Sequence, residues 1–145
     1  MTVLSEKAAI AFTHGFNCAQ SVFTAFSGKY GLDSSIAARI ATGLGAGVRS
    51  GEICGAVNGA ALVIGLKYGQ AEQADQESKP ICNSKTVEYL NSFKQANGSI
   101  VCRELLECDV STDAGRSKAE SENLFTTICV DFVKSAVELL EELGY

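Results

Sequence analysis

Tryptophan is absent from this 145-residue chain, and proline occurs once, at Pro80. β-Branched runs are scarce as well, so strand signals are few and the punctuation falls to glycine and polar caps. Histidine occurs once, at His14, which excludes His-rich zinc sites. A Ser/His/Asp hydrolase would have to use that same residue, and no nucleophile elbow accompanies it. No Cys-x-x-Cys is present, which removes both a thioredoxin-type motif and a zinc ribbon.

Long runs of one kind are missing too. There is no Lys/Arg run to neutralise phosphates, and the formal net charge is −5, which argues against nucleic acid as a partner. The longest apolar stretch, Ile53 to Leu66, is interrupted by Asn58 and falls short of the ~20 residues of a membrane-spanning helix. The opening "MTVLSEKAAIAFTHGF" lacks the basic start and continuous apolar core of a secretory signal. A cytoplasmic protein with no membrane insertion is expected. "TGLGAGVRSGE" contains no Gly-Lys-Ser/Thr, and the segment before it reads as helix rather than strand, which excludes a phosphate loop and a dinucleotide fingerprint.

What is present is an ordinary globular composition, 46% apolar and 20% charged, long enough for one domain over residues 1–145. Helical patterns run from Glu6 to His14 and from the cap Asn17 to Phe26, with Val22, Phe23 and Phe26 on one stripe. Asp33 caps a third helix carrying Ile36, Ile40 and Leu44. Glu52 to Tyr68 reads as one buried helix, rich in glycine and alanine. "GQAEQADQESKPICNS" reads as a surface loop, after which Asn83 or Ser84 caps a helix with Val87, Leu90 and Phe93. Ser99 starts a short helix, "CDVSTDAGRSKAESEN" is a polar connection, and Ser117 to Leu143 is a last helical segment with a bend near Thr126–Thr127. The expectation is an all-α, compact single-domain bundle of roughly six or seven helices around the central Gly/Ala-rich helix.

Against this background six cysteines are many: 18, 54, 82, 102, 108 and 129. In a reducing compartment, with an adequate core, permanent disulfide staples are not expected. Cys18 directly follows the cap Asn17, Cys54 opens the central helix, Cys102 lies in the turn after Ser99, and Cys129 falls near a helix start if the last segment breaks. Helix N-termini present free N–H groups and a positive dipole end, which favour thiolate, and Arg49 could add a cation beside Cys54. Inert packing is the plain alternative for any single cysteine, and Cys82 and Cys108 fit it best. Asn58 shares the helical face of Cys54 and could hold a thiolate or a bound ligand through its amide, or simply bond between helices. His14 reads as a surface residue. Gly55 and Gly59 form a smooth face on which another helix start, with its own cysteine, could approach Cys54.

"Cys54-Gly55-Ala56-Val57-Asn58-Gly59" resembles the CGAxxG motif of the redox-active proteins named for their C_GCAxxG_C_C pattern. "FNCAQSV" at Phe16–Val22 is similar to that family's first cysteine region, and "CRELLECDVST" at Cys102–Thr112 to its third. The resemblance implies four family cysteines, at Cys18, Cys54, Cys102 and Cys129, with Cys108 a rival to Cys102. Selenocysteine-containing members of the family imply redox chemistry, and its gene neighbourhoods imply a transporter link.

Three functions stay open. In the first, Cys54 is a nucleophilic thiolate resolved by Cys18, Cys102 or Cys129, in dithiol/disulfide exchange or electron transfer with a redox partner or a small thiol or disulfide substrate. In the second, the same four thiolates hold zinc or an iron–sulfur cluster, a reading weakened by the lack of a closely spaced pair. In the third, the chain is a non-catalytic helical interaction protein. A homo-oligomer is compatible with all three.

Overall fold

A computed structural model describes residues 1–145, the whole chain. It is all-α, with eight helices: α1 (Val3–Thr13), α2 (Cys18–Ser27), α3 (Ser34–Ala41), α4 (Gly55–Tyr68), α5 (Ser78–Asn97), α6 (Cys102–Leu105), α7 (Asp113–Ser121) and α8 (Ile128–Glu142). The extra helix over the expected six or seven comes from the last segment, which divides in two. Asn123, at φ 56°, stops α7, and a short 3₁₀ turn at Leu124–Thr126 redirects the chain into α8. No helix is long and apolar enough to cross a membrane.

Caps set most of the boundaries. Asn17 and Gln20 form a reciprocal capping box at α2, each side chain accepting the other's backbone N–H at 2.9 Å. Asp33 accepts from the N–H groups of Ser35 and Ile36 to open α3. Asp75 accepts from Glu77 and Ser78 N–H groups at 3.0 Å, so α5 begins at Ser78, ahead of the expected Asn83 or Ser84. Pro80 then sits in the first turn, where its missing N–H removes no helical bond. Cys82 is thereby helical rather than loop-borne. The hydroxyl of Thr112 caps α7, which turns much of the expected polar connection into helix.

α4 lies at the centre, packed on α2, α5 and α8. Its buried residues Ala56, Val57, Ala60, Val63 and Ile64 join Phe26, Tyr89, Phe93 and Leu140 in one continuous core. A helix apolar on most of its surface belongs inside, as its composition anticipates. The stripe expected on α3 is reversed: Ile36 and Ile40 are about half exposed, while Ala37 and Ala41 are fully buried. The Gln20 amide donates to Ala38 O (3.0 Å) and Thr42 Oγ1 (3.1 Å), and the Asn17 amide to Thr42 O (2.8 Å). Held that close to α2, α3 admits only methyl groups between them.

Candidate functional site: a cavity lined by cysteines

Two backbone segments carry the site, the loop before α4 and the strand-like residues before α6. The loop runs in the left-handed region, with positive φ at Ala46, Gly47, Val48, Arg49 and Gly51. Three of these are not glycine, and each such residue costs about 1–2 kcal/mol. The surrounding bonds hold it. Asn58 donates both amide hydrogens, to Leu44 O (3.1 Å) and Ile53 O (3.0 Å). The Ser50 hydroxyl donates to Gly47 O at 2.6 Å. Arg103 donates to Gly51 O (3.2 Å) and pairs with Glu52 at 2.6 Å.

Beyond the loop, Ile53 and Val101 form an antiparallel bridge. The Cys54 N–H donates to Ile100 O at 2.8 Å, and the Cys102 N–H to Glu52 O at 2.5 Å. Side chains alternate across an extended segment, so Cys54 and Cys102 share one side of the bridge. Cys54 is the N-cap residue of α4 and Cys102 the first residue of α6. Cys18, first in α2, comes from the other direction. Its sulfur lies against Gly55, where a Cβ would overlap Cys18 Sγ. A Cβ on Gly59 would stand 2.6 Å from Ala19 O and 3.0 Å from Val22 Cβ. The smooth Gly55–Gly59 face therefore does bring a second cysteine-bearing helix start beside Cys54. Cys129 arrives as the second residue of α8, because the last segment breaks at Thr127.

Cys18, Cys54, Cys102 and Cys129 all line one cavity of about 170 Å³. Phe12, Phe125 and Phe132 supply aromatic walls, and Leu106 and Val110 aliphatic ones. Arg49 is the single charged residue of the lining. Cys82 is not part of it. Cys108 lies outside the lining, yet near enough for its charge to raise the pKa of Cys102 and Cys129. His14 is exposed at the end of α1, with Nδ1 bonded to Ile10 O at 2.8 Å. Asn58 makes no bond to a thiol; its amide joins α4 to Leu44 at the end of the preceding helical segment, the plainer of its two readings, and also fastens the loop at Ile53.

The electrostatics correct one expectation. Burial pushes all four cavity thiols up from their ordinary value. Cys102 reaches about 11 and Cys129 about 12, and Cys18 and Cys54 are also raised. At Cys54 the second cause is the neighbouring Cys18 sulfur. The N–H groups of Ala56 and Val57 pull the other way, as a helix start should, and are outweighed. Arg49 is not among the groups acting on Cys54. Each of these shifts favours the thiol form, so the helix start at Cys54 does not by itself lower its pKa here.

No three His, Cys, Asp or Glu side chains converge closely enough to hold a metal ion. The four-thiolate zinc or iron–sulfur reading thus does not fit this arrangement. The aromatic walls and the Glu52–Arg103 clamp were not singled out from sequence. Their only signal there is adjacency: Glu52 stands two before Cys54, and Arg103 one after Cys102.

No curated protein and no solved structure matches this chain. One family model does, over residues 16–143, a span that contains every cysteine of the cavity. With its CGAxxG segment at the start of the central helix and its partner cysteines around one cavity, the chain belongs to the family described as "Putative redox-active protein (C_GCAxxG_C_C)".

Proposed function

We propose that Cys18, Cys54, Cys102 and Cys129 form a dithiol/disulfide centre, with Cys54 as its hub. The observation that carries this reading is that four thiols from four separate chain regions line one small cavity. Cys18 and Cys102 are the two cysteines whose charge reaches Cys54, and in this reading one of them resolves it. In the oxidising direction, one thiol loses its proton and attacks a disulfide of a redox partner or small molecule, releasing half of it as a thiol. A second cavity thiol then attacks the mixed disulfide, closes a Cys–Cys bond and releases the other half. Two electrons pass to the acceptor and two protons end on the released thiols.

Burial gives this centre a particular character. At neutral pH its thiols rest protonated, so general alkylation is slow and exchange depends on a substrate entering the cavity. The reading assigns the protein to a reducing compartment such as the cytoplasm, where a thiol pool can regenerate it.

The test is disulfide mapping by mass spectrometry after equilibration in thiol/disulfide buffers of graded potential. The expected result is a reversible bond from Cys54 to Cys18 or Cys102. Six free thiols at every potential would leave the cysteines as packing groups and sink the reading.

A further inference from the structure

We propose that the cavity is built for a small organic disulfide that carries a carboxylate; this deepens the dithiol reading above and rests on it. Size comes first. About 170 Å³ is smaller than the ~300 Å³ at which drug-sized pockets begin. A short-chain disulfide half fits such a space, whereas a peptide or a protein loop does not. The walls come second: three phenylalanine rings, Leu106 and Val110 favour an aliphatic body over a polar one.

Charge selects the end group. Arg49 is the lone charged residue of the lining, and it makes no ion pair within the chain. Its neighbour Arg103 is already committed to Glu52 and Gly51 O. Arg49 is also held at φ 60°, a backbone conformation unfavourable for its residue type, in the loop that ends at Cys54. Arg49 is an exposed residue at the edge of this apolar, thiol-lined space, and its guanidinium can reach a carboxylate on an entering molecule and grip it through two parallel N–H bonds. The chain as a whole carries a formal charge of −5 and repels anions at a distance. At physiological salt that field is screened beyond about 8 Å, so any preference for an anion must arise locally.

The reaction balances as a two-electron exchange: two cavity thiols and one disulfide R–S–S–R give one Cys–Cys bond and two R–SH. Carboxylate recognition by Arg49 would bring one sulfur of that disulfide against a cavity thiol.

Three disulfides of similar size and different charge test this: dithiodipropionate (anionic), hydroxyethyl disulfide (neutral) and cystamine (cationic). Rate constants for oxidation of the fully reduced protein are measured at physiological salt, and each is divided by the rate for dithiothreitol with the same reagent. The expected order is anionic, neutral, cationic, with about a tenfold span. The span collapses in Arg49→Gln and persists in Arg49→Lys, both checked for native circular dichroism. A wild-type span near unity overturns the carboxylate proposal and leaves the dithiol reading standing. A span that survives Arg49→Gln overturns the role of Arg49. If none of the three oxidises the native protein while all thiols titrate in denaturant, the dithiol reading fails as well.

Discussion

Gly55 lacks a side chain where Cys18 Sγ needs the room: a Cβ built there would overlap the sulfur. The same position lies 3.1 Å from Gly45 Cα and 3.2 Å from Leu44 O, so the neighbours offer no easy escape. The glycine of the CGAxxG segment is therefore a seat for the first cysteine of the pattern, as well as part of a smooth packing face.

Gly55→Ala should destabilise the protein by about 1–3 kcal/mol through overpacking, despite the better helix propensity of alanine. Cys18→Ala in the same chain should restore much of that loss, because it removes the atom in conflict. Urea denaturation of the two single variants and the double variant gives the coupling energy. Additive effects would separate Gly55 from Cys18.

The four raised thiols should react slowly. In native reduced protein, alkylation of Cys18, Cys54, Cys102 and Cys129 by iodoacetamide at pH 7 should lag well behind that in denatured protein. The rates should keep climbing with pH through the ordinary thiol value of 9.0. Quantitative peptide mapping checks each site. A plateau at or below neutral pH at Cys54 would restore the activated-thiolate picture.

The same burial makes reduced protein sensitive to alkali. A thiol whose folded pKa is raised binds its proton more tightly when folded. Its stabilising effect is whole below the unfolded value and declines as pH rises toward the folded one. For Cys102 that window runs from 9.0 to about 11. For Cys129 it extends to about 12. Tyr89 and Tyr145 are raised too, so reduced and disulfide-linked forms must be compared. The urea midpoint of the reduced form should fall more steeply between pH 9 and 11, since a disulfide has no proton to lose. Parallel profiles would contradict this account.

Asn58→Ala removes both bonds that fasten the left-handed loop, to Leu44 O and Ile53 O. Two carbonyls lose their donor, and the cost should be about 1–3 kcal/mol in stability. Cys54 alkylation should also accelerate, because the loop that buries it loosens. Hydrogen exchange across residues 44–54 provides the independent readout; unchanged exchange there would show that the loop is held by other contacts.

Much of the fold is legible residue by residue. Asn17 and Asp33 are caps in the sequence and caps in the structure. The mostly small and apolar residues up to Tyr68 do mark the central helix, but it begins at Gly55 rather than Glu52, because Ile53 pairs with Val101 in an extended bridge. On α3, Ile36 and Ile40 have the spacing of a core stripe yet face outward. Periodicity finds the helix, but spacing between helices decides which face is inward, and here the Gln20 and Asn17 bonds leave room for alanine alone. The start of α5 is hidden in the sequence, since a proline inside a polar run looks like loop. Its place in the first turn, behind the Asp75 bonds, removes the conflict.

By itself, the sequence determined an all-helical chain, the places of its four pattern cysteines at or near helix starts, and the glycine face that lets two of those starts meet. These follow from local rules: capping chemistry, helical spacing and the volume of a missing side chain. Tertiary structure alone decided the state of the sulfurs. The helix-start effect on a thiol is local and was readable, whereas desolvation depends on every atom packed around it. At Cys54 the collective effect of burial is larger than that of two favourable N–H groups, and the pKa goes up rather than down.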